Sequence, residues 1–223
     1  MVVVNVIRQQ HGMTLIELLV SMVILAIVST MIVMGWTSLQ SAYSATVKGS
    51  AARDNARDAV SRMTRELRSM QPATSGGSLI VSADSNEITF YSAFNNTAAA
   101  NDPGTNGLGH VALVRYWYVH DANTDPEQWR IYRRRDADGD GALTANDPTM
   151  IVASNIVNGT TLPGHSEPIP VFQYFAAGNA TALSTPVSDV SDIATISIRV
   201  VTDLNPEHTP TYFDLVTTIK PRN

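Results

Sequence analysis

The chain has 223 residues, of which 44% are hydrophobic and 16% are charged. This composition is typical of one modest folded domain and argues against a disordered chain. The formal net charge is −5, a mild acidic excess that provides no electrostatic basis for binding nucleic acid. Because the sequence contains no cysteine, it excludes disulfides, thiolate zinc sites and thiol catalysis.

The first strong feature in chain order is an uncharged run from Leu18 to Gly35. A membrane-spanning helix needs about 20 mostly apolar residues, so this run predicts a single transmembrane helix. A secretory signal peptide is a poorer explanation, because its apolar core is only about 7–15 residues long and a small-residue cleavage site follows it. An uncleaved signal anchor is the main alternative.

Glu17 is unusual at the start of such a helix. A carboxylate deep in a bilayer costs about 2.5–3.5 kcal/mol and therefore needs a partner. If the chain is cut after Gly12, Met13 gains a free α-amine four residues before Glu17, and positions four apart share a helix face. The carboxylate would then neutralise its own α-amine or that of a neighbouring subunit, whereas a signal anchor leaves it unexplained.

Residues 12–17 (GMTLIE) resemble the cleavage and methylation motif of type IV prepilins, whose usual form is GFTLIE. The resemblance implies that a membrane prepilin peptidase removes the leader 1–12 by cutting between Gly12 and Met13. The same enzyme would methylate Met13, which fills the place of the usual phenylalanine. Glu17 matches the assembly glutamate, and residues 13–36 would form the transmembrane assembly helix.

Helical periodicity continues beyond the membrane run, over residues 37–71. This stretch contains no proline, and Pro72 with Gly76 and Gly77 marks its end. Small or apolar residues recur along it at helical spacing, namely Ala52, Ala56, Val60, Met63, Leu67 and Met70. The pattern predicts that one long helix has an apolar first half and an amphipathic second half.

The remaining chain, residues 78–223, consists of short β segments. The predicted strands are Glu87–Tyr91, Val111–Val119, Gln128–Arg134, Val171–Phe175, Ile193–Thr202 and Thr211–Ile219. A run of strands after one long helix predicts an α+β fold. We expect an antiparallel sheet that packs on the amphipathic half of the helix, in a pilin-like head.

Several later segments resemble one branch of the prepilin-like proteins. Residues 63–68 (MTRELR), 87–91 (EITFY), 115–116 (RY), 131–133 (IYR) and 222–223 (RN) are similar to PilW-like large minor pilins and to the J-type minor pseudopilins of type II secretion. The likeness implies a low-copy structural subunit near the filament tip that helps to start assembly. Its implied partners are the prepilin peptidase and other major and minor pilin-like subunits.

Residues 136–147 (DADGDGALTAND) have the spacing of an EF-hand-type calcium loop. Calcium takes about six to eight oxygen ligands, and a glycine at the sixth position permits the sharp turn. The predicted ligands are the carboxylates of Asp136, Asp138, Asp140 and Asp147, the carbonyl of Ala142, and Thr144 directly or through water. A bound Ca²⁺ would be structural, in place of disulfides. The alternative is a solvated acidic turn that is partly neutralised by Arg133, Arg134 and Arg135.

The sequence has no phosphate loop, nucleophile elbow or histidine pair at metal spacing, so it predicts no enzyme activity. The acidic neighbours of Arg133–Arg135 favour a salt-bridge cluster over contact with nucleic acid. We expect a single-pass protein of the cytoplasmic (inner) membrane with an extracytoplasmic C-terminal domain, which then joins a cell-surface or periplasmic filament. The competing hypothesis is a membrane-anchored, calcium-dependent binding or enzymatic domain that does not polymerise.

Overall fold

A computed structural model describes residues 14–73, 77–93, 111–120, 129–137, 140–163, 165–204 and 211–221. The elements are α1 (Leu15–Arg68), β1 (Ile80–Ala83), β2 (Glu87–Ser92), β3 (Ala112–Val119), β4 (Arg130–Arg135), β5 (Thr149–Ser154), β6 (Phe172–Phe175), β7 (Thr195–Asp203) and β8 (Tyr212–Ile219). A short 3-10 helix, Val190–Asp192, precedes β7. The chain forms two compact units, residues 1–46 and 47–223.

In the first unit, α1 is uncharged and mainly apolar on all sides from Leu18 to Gly35, and it exposes its large apolar side chains. The helix is long and apolar enough to cross a membrane, as its sequence predicts. Polar side chains within the apolar run bond to the backbone of the helix: Ser21 Oγ donates to the Glu17 carbonyl at 2.7 Å and Thr30 Oγ1 to the Ala26 carbonyl at 2.8 Å. Such bonds suit a helix in lipid, where water is not available as a partner.

In the second unit, α1 buries one face and exposes the other. The predicted periodic residues are all buried, so the amphipathic half of the helix is confirmed. Three of the buried positions are the alanines Ala52, Ala56 and Ala59, and small side chains let a helix approach a sheet closely. Met63 and Leu67 are fully buried and provide the larger apolar contacts of this face.

The strands form two antiparallel sheets, a five-stranded sheet in the order β1-β2-β3-β4-β5 and a three-stranded sheet in the order β6-β7-β8. Their inner faces and α1 share one apolar core, whose largest fully buried members are Tyr116, Tyr174, Phe90, Phe172, Met63 and Leu67. The α+β class is confirmed. The second sheet was not predicted.

All six predicted strands occur, with ends within two residues of those observed. The sequence reading missed β1 and β5. Strand β1 has only four residues, and the first three residues of β5 are exposed, so neither shows the regular alternation that marks a half-buried strand. Strand β5 follows β4 in the sheet, and residues 136–148 join the two. The predicted calcium loop is therefore the connection of an antiparallel pair.

Candidate functional site

Three features carry chemistry: the start of α1, the acidic loop and a buried ion pair. The predicted processing residues Gly12 and Met13 lie outside the described residues. The first described residue is Thr14, and α1 begins at Leu15. Because the Leu18 N–H donates to the Thr14 carbonyl at 3.2 Å, Thr14 is the N-cap residue of the helix.

Glu17 forms reciprocal hydrogen bonds with this cap. Its Oε2 accepts the Thr14 N–H at 2.9 Å and the Thr14 hydroxyl at 3.0 Å, while the Glu17 N–H donates to Thr14 Oγ1 at 3.3 Å. This arrangement is a capping box, and its T-x-x-E signature is present in the sequence but was overlooked. Glu17 therefore has hydrogen-bond partners that do not depend on cleavage, and its predicted pairing with an α-amine stays a prediction.

The first half of the acidic loop is closed by Asp136, which directly follows β4. Asp136 is buried, and its Oδ2 accepts the Gly141 N–H at 3.0 Å. Gly141 has a φ of +80°, a conformation that glycine adopts without steric cost. The sixth position of the predicted loop thus makes the sharp turn that the calcium-loop pattern requires.

The second half of the loop is closed by Asp147, which is also buried. Its Oδ2 accepts the Thr144 N–H at 2.6 Å and the Thr144 hydroxyl at 3.1 Å, and its Oδ1 accepts the Ala137 N–H at 3.0 Å. The backbone bonds from Thr144 and then Ala137 lower the pKa of Asp147, and the charge of Arg134 adds to the effect. Asp147 thereby ties the end of the loop to its beginning.

The structure describes only part of the predicted ligand set. Asp138 lies outside the described residues, as does Gly139, whereas Asp136, Asp140, Ala142, Thr144 and Asp147 are described. Among the described residues, no group of three or more histidine, cysteine or acidic side chains is arranged to hold a metal ion. The predicted ligand atoms of the loop are all oxygens, the ligand type that calcium requires.

Asp147→Asn is expected to reduce the loss of unfolding free energy that accompanies a fall in pH through the acidic range. The lowered pKa means that ionised Asp147 stabilises the fold above its ordinary value of 3.8, and that this contribution is lost as the pH falls through the folded-state pKa. Urea unfolding of the full chain in detergent, without calcium, between about pH 6 and pH 2 measures the effect. The exposed Asp192→Asn is the control, and parallel curves for wild type and Asp147→Asn would contradict the prediction.

A buried ion pair joins α1 to the five-stranded sheet. Glu66 is 2% exposed, and its Oε2 accepts Arg133 Nε–H at 2.9 Å and the Tyr116 hydroxyl at 2.8 Å. Tyr116 and Arg133 lie opposite each other on β3 and β4, so two neighbouring strands present both donors to one carboxylate. Burial and then the charge of Glu66 raise the pKa of Tyr116 well above its ordinary value, which keeps its hydroxyl a donor.

Sequence reasoning missed this pair. The available signal was that Glu66 falls between Met63 and Leu67 on the buried face of α1. The alternative to the calcium loop placed Arg133 beside the acidic turn, and in the structure Arg133 pairs with Glu66 of α1. Arg134 points to the opposite face, where its guanidinium lies 5.6 Å from the centre of the Trp117 ring and its Nε–H donates to Thr149 Oγ1 at 2.9 Å.

Arg133→Met is expected to lower the free energy of unfolding by about 3–5 kcal/mol, because it leaves the Glu66 carboxylate buried without its cation. The triple variant E66L/Y116F/R133M removes every polar member of the cluster and should recover most of that loss. Urea unfolding of the full chain in detergent measures both values, with the exposed Arg53→Met as control. A triple variant no more stable than Arg133→Met would show that the cost arises from lost packing.

Comparison with protein-family models matches residues 7–33 to the prokaryotic N-terminal methylation motif. A comparison with curated proteins gives no match. The matched segment spans the predicted cleavage site, Glu17 and most of the apolar run of α1, and it does not extend into the second unit. The motif and the single long apolar helix are consistent with a type IV prepilin-like protein and fit an inner-membrane anchor.

Proposed function

We propose, from the prepilin-type methylation motif at the start of the chain, that this protein is a minor structural subunit of a type IV-like filament. The filament is a type IV pilus or a type II secretion pseudopilus, and the subunit lies near its tip and aids the initiation of assembly. The observation that carries the proposal is the motif at residues 7–33, which runs directly into a helix of membrane length.

Processing prepares the chain for this role. Prepilin peptidase removes residues 1–12 and methylates the new N-terminus at Met13. The Thr14–Glu17 capping box is compatible with the cut, because Thr14 keeps its amide to Met13 when the bond before Met13 is broken. In the mature subunit, the Glu17 carboxylate is also within one helical turn of the α-amine and pairs with it or with that of a neighbour.

The two halves of α1 have different roles in such a subunit. The first half is exposed and apolar on all sides, which suits lipid before assembly and neighbouring helices afterwards. The second half packs on the sheets of an extracytoplasmic head. The partners are other major and minor pilin-like subunits, and the protein has a structural role with no catalysis of its own.

Variants at the start of α1 test the filament proposal. Glu17→Ala is expected to abolish incorporation into filaments while membrane insertion continues, since it removes the partner of the α-amine. Thr14→Val removes the capping hydroxyl but keeps the Glu17 carboxylate, so it should weaken the helix cap by about 1 kcal/mol and still be incorporated. Sheared filaments from the native host are assayed for the subunit, and the N-terminal mass of each variant is measured.

The outcome that opposes the proposal is an intact, unmethylated leader on wild-type protein from its own cells. In that case the chain is a membrane-anchored, calcium-dependent binding or enzymatic domain that does not polymerise. The capping box does not distinguish the two hypotheses, because Thr14 bonds to Glu17 in a cut and in an uncut chain alike. Equal loss of incorporation in both variants would assign the role of Glu17 to the helix cap alone.

We further propose that residues 136–147 bind one structural Ca²⁺. The observations that support it are the turn at Gly141 and the two buried carboxylates, Asp136 and Asp147, that close the loop. Asp136, Asp138, Asp140 and Asp147 would provide carboxylate oxygens, Ala142 its carbonyl, and Thr144 a direct or water-bridged contact. A bound ion would neutralise the carboxylates that crowd one short connection.

Calcium is expected to raise the melting temperature of the wild-type chain by several degrees, because an ion that binds only the folded state stabilises it by mass action. Asp138→Ala should remove this rise, whereas the exposed Asp192→Ala outside the loop should keep it. Melting of the full chain in detergent is measured with calcium and with a chelator. Equal melting temperatures of the wild type in both buffers would end the calcium proposal.

A further inference from the structure

Three cations converge at the end of α1 in the second unit. Arg65 and Arg68 lie in the last turn of the helix, and Lys220 directly follows the last residue of β8. Together with Ser69 they line an open cleft of about 480 Å³. Lys220 is far in sequence from Arg65, Arg68 and Ser69, so only the fold brings it to them.

The cations at this helix end carry more positive charge than is required to balance the negative end of the helix dipole. The C-terminus of a helix is equivalent to about −0.5 of an elementary charge, and cations there partly serve to balance it. Glu66 is the acid in this turn, but its carboxylate is buried and bonds to Arg133 and Tyr116. Within the described part of the chain, no ion pair involves Arg68 or Lys220.

The cleft lies at the end of an edge strand. Strand β8 pairs with β7 alone among the described strands. An edge strand presents unpaired N–H and C=O groups that another strand can use, and proteins usually block such edges with bulges, prolines or charges. The eight residues of β8 pair with β7 without a register shift and contain no proline. Their single charge, Asp214, bonds to Arg199 of β7.

We infer that the edge of β8 and the cationic cleft together bind an extended acidic segment of a neighbouring filament subunit. The main chain of that segment adds to the sheet beside β8, and its carboxylates reach Arg68 and Lys220. Arginine binds carboxylates with two parallel hydrogen bonds, which gives such a contact direction as well as charge. The inference rests on the proposed function, because it takes the partner from the filament.

The test uses the purified full chain in detergent and a fluorescent eight-residue peptide in which valine and glutamate alternate. Fluorescence anisotropy should show binding of this peptide and no binding of the matched valine–glutamine peptide. The R68E/K220E variant should bind at least about tenfold more weakly, as expected for the reversal of two exposed charge pairs. Arg53→Glu, an exposed site on α1 outside the cleft, should bind as the wild type does.

Two further measurements test the charge contacts and the main-chain pairing separately. The neutral variant R68Q/K220Q should also lose binding, and it replaces R68E/K220E if reversed charges at the helix end impair folding. A valine–glutamate peptide with N-methylated backbone should bind less well, because it cannot complete the main-chain pairing with β8.

The inference is overturned if the acidic peptide does not bind, if Arg53→Glu weakens it equally, or if the N-methylated peptide binds unchanged. It is also overturned if inorganic phosphate displaces the peptide at equal concentration, since the cleft would then be a site for small anions. The N-terminal mass of protein from the native host tests the filament proposal separately. A failed peptide assay therefore leaves that proposal standing, and an uncut leader leaves the binding result standing.

Discussion

The head depends on the attachment of α1 to the two sheets, and the buried pair of Glu66 and Arg133 lies within this contact. Apolar burial supplies most of the driving force, since the helix face and both inner sheet faces form one core. The ion pair adds a requirement of geometry, because a buried carboxylate without its donors is costly. Glu66 can meet both Arg133 and Tyr116 only when the helix, β3 and β4 adopt this one arrangement.

The elements with a regular period could be predicted from the sequence. The apolar face of α1 repeats every three to four residues, and the long strands alternate, so both were recognised. Strands β1 and β5 were not, because one is very short and the other is exposed along its first half. The Glu66–Arg133 pair was also missed, since these residues are 67 positions apart in sequence and meet only when α1 packs on the five-stranded sheet.

Short sequence motifs encode the local backbone geometry of both the acidic loop and the start of α1. The turn at Gly141 and the closing carboxylates follow the calcium-loop spacing, because that spacing encodes the backbone path directly. The α-amine was predicted as the partner of Glu17 because a lone carboxylate is costly in the bilayer. The helix cap is a local feature, and the four residues Thr14–Glu17 already encode it. Under the proposed function, the same carboxylate would bond to Thr14 in the precursor and would also pair with an α-amine in the mature chain.

The three consecutive arginines of β4 have a consequence for strand register. A one-residue shift in one direction would place Arg134 where Arg133 meets Glu66, so charge alone does not exclude that alignment. The opposite shift would place Tyr132 there and leave the carboxylate without its cation. The first shift would move Ile131 out of the core and break the stack of Tyr132 on Trp117, whose rings are 5.4 Å apart. Ile131 and the Trp117–Tyr132 stack therefore oppose the one shift that the arginine run permits.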